Sequence, residues 1–511
     1  MTEYAQIIDN IFEKLFSKTV LSIIIISIIG LLFRIYFTSW DLPFNSPDAF
    51  LFMVEGLAYA KGDFTNFSPR FLWPAFNSIF FVFFDFDTYL EYTNVMRIIS
   101  ISISIITIPV LYLVSKQIVK KKYALMATIF FTIEPNLVEN SIFSITEPIF
   151  ILLGLIAFYF AMQRNDKYLL LAFFFAGLSF DTRLNGIVLL IVVLYSGIIR
   201  IKTRKTLLML VIGLSIFLAI SSPHIIYPLQ NETSFFPVIE NTVDTISNER
   251  AYVLTYESDS SNVIITALTN ELSHIFRISI PYLIAMVPFG IIIALTNLNN
   301  QTKLVFVAII ASLIIAIPQY TMSNEYRNLF FLLPFFCIFS SIGIQKLTEK
   351  IEIKNLFLIL LVAGLILLSA NFLRDRSDID QAYFIEKDDF GKYIANNLEG
   401  NIAGNMRLEI TRNMPDLKLS SSHYNDKLAF FDPGVTINSI SQLMEYCKEN
   451  EIDYLVIENG IVQKRYPIFT EIIIQNNQYE FLEEKFNSDD MNYQKFKAEI
   501  FKINWEQYNG N

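Results

Sequence analysis

The residues best suited to chemistry come just after the first long apolar run of the chain. Ser46 followed by Pro47 is typical of a helix N-cap and first helical residue. Asp48 would then lie in the first turn, where the helix dipole stabilises a carboxylate. Glu55 and Tyr59 follow at helical spacing, so all three side chains share roughly one helix face. Two interpretations stay open: Asp48 only supports the helix start, or this face is a wall of a polar site.

A second acidic site is predicted between Glu139 and Pro148. The sequence Thr146-Glu147-Pro148 is typical of a helix start. Glu147 either stabilises that start through the helix dipole or is a second carboxylate that faces Asp48 across a cavity.

Two arginines complete the set of charged candidates. Arg183 lies shortly after Asp181, and Arg327 lies two residues after Glu325. A guanidinium is planar and has several N–H donors, a geometry that suits phosphate. Each arginine could therefore bind a phosphate at the lipid headgroup level, or could only pair with its acidic neighbour, as Arg183 would with Asp181.

Composition indicates what kind of scaffold must position these residues. The chain has 511 residues, of which 53% are apolar, and a mean hydropathy of +0.44, values typical of a multi-spanning membrane protein. The net charge of −10 argues against nucleic-acid binding. The sequence has no Walker A loop, no Rossmann glycine fingerprint and no zinc signature, which disfavours nucleotide-driven pumps and soluble nucleotide-sugar enzymes.

The apolar segments predict about eleven membrane spans. They are residues 20–38, 95–115, 123–138, 147–162, 168–180, 185–199, 206–227, 277–296, 304–318, 327–345 and 355–372. Lysine and arginine are expected to concentrate in cytoplasmic loops. With a cytoplasmic N-terminus, the inside loops hold fourteen basic residues: Lys116, Lys120, Lys121, Lys122, Arg164, Lys167, Arg200, Lys202, Arg204, Lys205, Lys303, Lys346, Lys350 and Lys354. The short outside loops hold only Arg183 and Arg327, so all of the charged candidates are predicted on the outer face.

This orientation divides the chain into two predicted domains. Residues 1–373 form a transmembrane domain with long outer loops at 39–94 and 228–276, the second of which could be a lid over a site. The apolar run 71–84 is predicted to lie in the outer interface, because a crossing there would put Lys120–Lys122 outside. Residues 374–511 are polar and predict an extracytoplasmic α/β domain, with helices at 439–450 and 468–475 and strands at 452–457, 479–486 and 493–503.

The order of these features resembles the membrane-embedded GT-C glycosyltransferases, which include protein O-mannosyltransferases and lipid A aminoarabinose transferases. The resemblance covers residues 20–345 and is specific mainly in its order. It is carried by Ser46-Pro-Asp48, Phe71-Leu-Trp-Pro-Ala-Phe, Met96-Arg97, Lys120–Lys122, Glu147-Pro148 and Thr182-Arg183-Leu-Asn-Gly186. The Trp-Trp-Asp signature of oligosaccharyltransferases is absent.

The resemblance implies an enzyme of the plasma membrane that transfers a sugar from a polyprenyl- or dolichyl-phosphate donor to a protein, lipid or glycan acceptor, with inversion. It implies Asp48 as general base and Glu147 as the second catalytic carboxylate. Both could bind a divalent cation, although the sequence shows no required cofactor. Positive charge for the leaving phosphate would come from Arg183, Arg327 and Arg97, and further substrate contacts from Glu55, Tyr59 and Glu139.

Two other classes remain open. A multi-spanning transporter would carry polar residues along a pathway near the bilayer midplane, whereas the charged candidates here gather at one surface. A membrane anchor that only displays residues 374–511 leaves the acidic outer loop and the outer arginines without a role. The sequence names neither the sugar nor the acceptor.

Overall fold

The computed structural model describes residues 18–42, 46–64, 71–86, 88–201, 204–224, 226, 263–296, 298–320, 325–404, 406, 428–429, 437, 439–458, 467–474 and 479–510. The chain forms two compact units. Unit 1 comprises residues 1–39, 64–80 and 94–374, and unit 2 comprises residues 40–63, 81–93 and 375–511. Most of the predicted lid at 228–276 lies outside the described residues, which resume at Val263.

Unit 1 is helical in the part of the chain that the structure describes. Its helices are α1 (Thr19–Phe37), α3 (Leu72–Phe81), α4 (Tyr89–Ser115), α5 (Lys121–Ile133), α6 (Pro135–Ile142), α7 (Glu147–Met162), α8 (Lys167–Thr182), α9 (Ile187–Ile198), α10 (Arg204–Ile220), α11 (Val263–Ser279), α12 (Leu283–Thr296), α13 (Asn300–Tyr320), α14 (Leu333–Thr348) and α15 (Lys354–Asn397). Short 3₁₀ helices at Leu184–Gly186 and Tyr326–Leu332 precede α9 and α14. Three of these helices cross a unit boundary: the last residue of α3, the start of α4 and the end of α15 belong to unit 2.

The described helices include several that are suited to a membrane. By length and apolar composition alone, five of them could cross, or seven if each of two bent helix pairs is one span. The predicted number of eleven therefore stays a prediction. The ten-residue α3 is about 15 Å long, too short for a hydrocarbon core of roughly 30 Å, which fits the prediction that residues 71–84 do not cross.

One predicted span is interrupted. Residues 123–138 were expected as one helix, but α5 ends at Ile133 and α6 begins at Pro135. Glu134 between them is extended, because a residue before proline is disfavoured in the helical conformation. The Glu134 side chain caps α6 by accepting a hydrogen bond of 2.8 Å from the Leu137 N–H.

The core of unit 1 is rich in phenylalanine. Phe130 on α5, Phe158 on α7, Phe173 on α8 and Phe335 on α14 are fully buried. The Phe158 and Phe335 rings are 5.1 Å apart. This packing of large rings holds the helices of unit 1 together, among them α7, which begins with Glu147, and α8, which Arg183 follows.

Unit 2 contains the predicted sheet together with the helix that carries Asp48. Its elements are α2 (Pro47–Ala60), the end of α15, β1 (Ile402–Gly404), β2 (Leu428–Ala429), α16 (Ile440–Glu449), β3 (Tyr454–Glu458), α17 (Pro467–Ile474), β4 (Leu482–Asn487), β5 (Ala498–Ile503) and α18 (Trp505–Gly510). The strand order is β2-β1-β3-β5-β4. The first three strands are parallel, and β5 is antiparallel to β3 and β4.

The sheet of unit 2 has apolar side chains on both faces. On β3, Leu455 and Ile457 pack with residues of α16 and α17, while Val456 packs with Phe390 and Ile394 of α15. Alternating side chains of a strand point to opposite faces, so helices cover the sheet on two sides. The predicted α/β fold is confirmed.

Candidate functional site

Helix α2 carries the first candidate carboxylate. It begins at Pro47 after an extended Ser46, as predicted, although the Ser46 side chain makes no capping hydrogen bond. Asp48 lies in the first turn and is half-buried. Glu55 is half-buried and Tyr59 is buried on the same helix. Because α2 is continuous, these three side chains lie along one face.

Residues 81–93 hold α2 within unit 2. The Phe50 ring packs edge-on against Tyr89 with ring centroids 5.3 Å apart. The Thr93 hydroxyl donates to the sulfur of Met53 at 3.7 Å. Asp48 belongs to unit 2 and Glu147 to unit 1, so the prediction that they face each other stays a prediction.

Glu147 lies at the start of α7, as its Thr-Glu-Pro sequence predicted. Helices α6 and α7 are bent by 119° at the intervening turn. Ser144 in that turn has a φ of 56°, and its carbonyl accepts a hydrogen bond of 3.0 Å from the indole N–H of Trp73. The Glu147 side chain is only 1% exposed. Trp73 on α3 thus holds the turn that precedes the buried Glu147 carboxylate.

Arg183 lies at the C-terminus of α8, where the backbone becomes extended. The turn that follows packs tightly against the end of α8, because a Cβ atom on Gly186 would lie 2.5 Å from the backbone nitrogen of Phe180. Only glycine fits there without displacement of the backbone. The tight turn directs Arg183 toward the start of α7.

The guanidinium of Arg183 joins three segments of unit 1. It forms an ion pair with Glu147, contacts the Thr146 hydroxyl at 3.4 Å and donates to the Asn328 side chain at 3.0 Å. The Arg183 side chain is 16% exposed. The expected alternative pairing with Asp181 is wrong. The structure instead places Asp181 Oδ1 3.8 Å from His224 Nε2.

A second set of hydrogen bonds holds the turn that follows Arg183. Asn185, two residues after Arg183, exchanges side-chain hydrogen bonds with Gln319 near the end of α13, one of them 3.2 Å long. The turn after α8 is therefore attached to α13 and to the 3₁₀ helix that contains Asn328. An arginine fixed on several sides presents its remaining N–H groups in a defined direction.

The other predicted cations are placed differently. Arg327 pairs with its neighbour Glu325 at 2.7 Å and is 20% exposed. Arg97 on α4 is buried and donates to the Ser39 carbonyl at 2.9 Å and the Asn94 side chain at 3.0 Å. These contacts do not bring either arginine to Glu147.

Several charged residues were not anticipated from the sequence. Glu134 is buried at the break between α5 and α6. Arg34 is buried on α1 and donates to Ser104 at 3.1 Å and the Thr132 carbonyl at 3.1 Å. The signal for both was present, because a charge inside an apolar run is a functional or structural candidate by default. Glu139 is half-buried on α6.

The predicted cation site receives no support from the donor set. The carboxylate of Glu147 is held by a guanidinium and a hydroxyl. Within the ranges that the structure describes, no three His, Cys, Asp or Glu side chains are grouped so that they could hold a metal ion. Binding of a divalent cation by Asp48 and Glu147 stays a prediction.

Residues 83–227 match the sequence model of the dolichyl-phosphate-mannose-protein mannosyltransferase family. That segment contains Arg97, Glu147 and Arg183. Comparison with curated protein sequences finds no match.

Solved structures extend the likeness over most of the chain. ArnT from Cupriavidus metallidurans, solved bound to undecaprenyl phosphate, is 12% identical, with a TM-score of 0.59 over 94% of this chain and 97% of that one. The Archaeoglobus fulgidus oligosaccharyltransferase AglB, solved with an inhibitory peptide and a dolichol-phosphate, is 11% identical, with a TM-score of 0.54 over 85% and 69%. Its apo form is 10% identical, with a TM-score of 0.52 over 88% and 70%. At such identities the likeness concerns the fold.

The fold of this chain is similar to that of ArnT and of AglB. Both are GT-C glycosyltransferases of the membrane. The resemblance predicted from the order of short motifs is confirmed: this is an integral membrane protein with the GT-C fold.

Proposed function

We propose that the chain is a membrane glycosyltransferase that moves a sugar from a polyprenyl- or dolichyl-phosphate donor to a protein, lipid or glycan acceptor on the outer face. The observation that carries the proposal is the set of contacts that Arg183 makes to its neighbours. A guanidinium that is fixed by Glu147 and Asn328, yet 16% exposed, suits a phosphate that must be bound in one orientation.

The comparisons support the same class of donor. The matched family takes its name from dolichyl-phosphate-mannose, and two proteins of similar fold were solved with a lipid phosphate. Arg183 and Glu147 lie inside the matched segment, 83–227. The nature of the sugar and of the acceptor is left to experiment.

The proposed reaction is a single displacement. Asp48 accepts the proton of an acceptor hydroxyl, whose oxygen bonds to the anomeric carbon of the sugar. The bond from that carbon to the phosphate oxygen breaks, and the oxygen keeps the electron pair. Arg183 stabilises the resulting phosphate charge. Attack opposite the leaving group inverts the anomeric centre.

Other residues take supporting roles in this proposal. Glu147 positions the Arg183 guanidinium, which the buried ion pair supports. Arg327 and Arg97 add positive charge for the phosphate, and Glu55, Tyr59 and Glu139 contact the substrates. The N-terminus is proposed to be cytoplasmic, with the acidic helix α2 and residues 374–511 outside the plasma membrane, because basic residues concentrate in the opposite loops.

A transfer assay tests the proposal. The purified chain in lipid nanodiscs is given radiolabelled polyprenyl-phosphate sugars, one at a time, together with acceptors from a membrane extract. We expect release of polyprenyl phosphate and label on the acceptor for at least one donor. Failure to bind or consume any lipid-phosphate sugar would overturn the proposal.

A further inference from the structure

Helix α11 carries a polar cluster that has no role in the reaction above. Glu271 and His274 are three residues apart, so they lie on one face of the helix. Both are only 5% exposed. Asn270 immediately precedes Glu271 and is half-buried.

Glu271 is unusual because, within the described part of the chain, one oxygen of its buried carboxylate has no partner. Its Oε1 atom has no hydrogen-bond partner among the residues that the structure describes, and the same holds for Nδ2 of Asn270. A buried carboxylate or amide that lacks a partner is unfavourable. An unpaired acceptor and an unpaired donor on consecutive residues of α11 therefore indicate that a polar ligand group completes them.

Aromatic rings lie beside these polar groups. The His274 ring stacks on Tyr320 with centroids 5.3 Å apart and lies 6.3 Å from Tyr326. The Arg277 guanidinium covers Tyr326 at 4.4 Å. Aromatic faces next to a few fixed polar groups are typical of a site for a small organic ligand. A carboxylate oxygen accepts hydrogen bonds and an amide NH₂ donates them, so ligand hydroxyl groups, which can do both, would satisfy the two side chains.

Shared elements of unit 1 connect the polar cluster on α11 with the contacts that Arg183 makes to Glu147 and Asn328. His274 stacks on Tyr320, the residue after Gln319, and Gln319 exchanges hydrogen bonds with Asn185 in the turn after Arg183. Tyr326 begins the 3₁₀ helix that also holds Asn328, which accepts from Arg183 at 3.0 Å. A ligand whose phosphate contacts Arg183 would thus have its next chemical group near α11.

We propose that Asn270 and Glu271, beside the rings of His274 and Tyr326, form a subsite for the hydroxyl groups of the donor's sugar ring. This inference rests on the proposed function, since it assigns the sugar of the same lipid-phosphate donor. Arg183 recognises what all such donors share, the phosphate, and α11 recognises the sugar that distinguishes them.

Binding of lipids with and without a sugar separates this inference from the proposed function. The probes are bare polyprenyl phosphate and the same lipid carrying mannose, glucose or galactose, each titrated onto the full chain in nanodiscs. The sugar that most increases the affinity of the wild type is then used with Glu271→Gln. We expect a roughly tenfold weaker affinity for the sugar lipid, as for loss of a charge-assisted hydrogen bond, and an unchanged affinity for the bare lipid.

Glu349→Gln is the matched control, because Glu349, directly after α14, is exposed and pairs with Lys346. It is expected to change neither affinity. Equal affinity of the wild type for the bare lipid and all three sugar lipids would overturn the sugar subsite while the phosphate site stands. Loss of both affinities in Glu271→Gln, or of neither, would overturn it as well. A wild type that binds no lipid phosphate at all would instead refute the proposed function.

Discussion

Arg183 shows how one side chain can connect distant parts of a membrane protein. Its partners Glu147 and Asn328 are 36 and 145 residues away in the chain. A lysine keeps the charge but loses the planar fork that reaches several acceptors at once. The role of Arg183 therefore depends on geometry as well as on charge.

Arg183→Lys is expected to raise the KM for the lipid-phosphate donor by roughly 10- to 100-fold, the range for loss of a charge-assisted hydrogen bond. The measurement is the initial rate of polyprenyl phosphate release at increasing donor concentration. Arg164→Lys is the control, since Arg164 is exposed in the loop between α7 and α8. An unchanged donor KM in Arg183→Lys would contradict phosphate binding by this residue.

Asp48→Asn is expected to reduce the rate of transfer by about 10²–10⁴, because the amide cannot accept the acceptor's proton. Donor binding and thermal stability should stay near those of the wild type. Asp41→Asn serves as control, since Asp41 is exposed just before α2. If Asp48→Asn transfers sugar at the wild-type rate, Asp48 is not the base.

The sequence marked Asp48 and Arg183 as candidates, but it did not predict the partners of Arg183. Arg183 stood out because it opposes the distribution of basic residues between the two sides of the membrane. Its neighbour Asp181 was the obvious partner in sequence, yet the turn after α8 points Arg183 to Glu147. Partners so far apart depend on helix packing, which a single sequence does not specify.

At the scale of elements, the turn at Gly186 is the most constrained connection near the site. A Cβ atom there would lie 2.5 Å from the Phe180 nitrogen and 2.6 Å from its Cα. Gly186→Ala should therefore displace the turn and lower the free energy of unfolding by about 1–3 kcal/mol. Thermal unfolding in detergent and the donor KM would both report the change.

Gly364 provides the matched control for that substitution. It lies in α15, and a Cβ atom added there would contact nothing within 4 Å. Gly364→Ala is expected to leave the thermal unfolding temperature and the donor KM unchanged or slightly improved. Equal behaviour of the two alanine variants would mean that the turn at Gly186 tolerates the added carbon.

Local signals predicted helix starts better than helix ends. Pro47 and Pro148 marked the starts of α2 and α7 correctly. The change to polar composition after Phe372 suggested the end of a helix, but α15 continues to Asn397 because its later residues Phe390 and Ile394 pack on the sheet. Strands β1 and β2 are too short for a periodic pattern to be visible.

At the scale of the whole molecule, unit 2 contains a carboxylate whose protonation should influence its stability. Glu499 on β5 is partly buried beside Glu484 and Asp489. Burial, followed by repulsion from these two carboxylates, raises the pKa of Glu499 to about 7. The folded state therefore binds this proton more tightly than the unfolded state. The stability that the protonated group contributes is complete below about pH 4.5 and is lost as the pH rises through 7.

Glu499→Gln removes this charge at all pH values. At pH 8 we expect backbone amides in β3–β5 to exchange hydrogen roughly fivefold more slowly than in the wild type, as for about 1 kcal/mol after solvent screening. At pH 4 the two proteins should be alike. Glu445→Gln, an exposed position on α16, is the control, and an equal effect at both pH values would contradict the assignment.

Unit 2 also constrains how the chain can be synthesised. It includes residues 40–63 and 81–93, yet its sheet comes from residues 375–511. Domains generally fold as units while the ribosome delivers them in order. Here the segment with Asp48 leaves the ribosome early and must wait until residues 94–374 have been made and inserted. If the ribosome stalls in that interval, the nascent chain contains α2 but lacks the sheet of unit 2. Unit 2 can therefore fold only after residues 375–511 have been made.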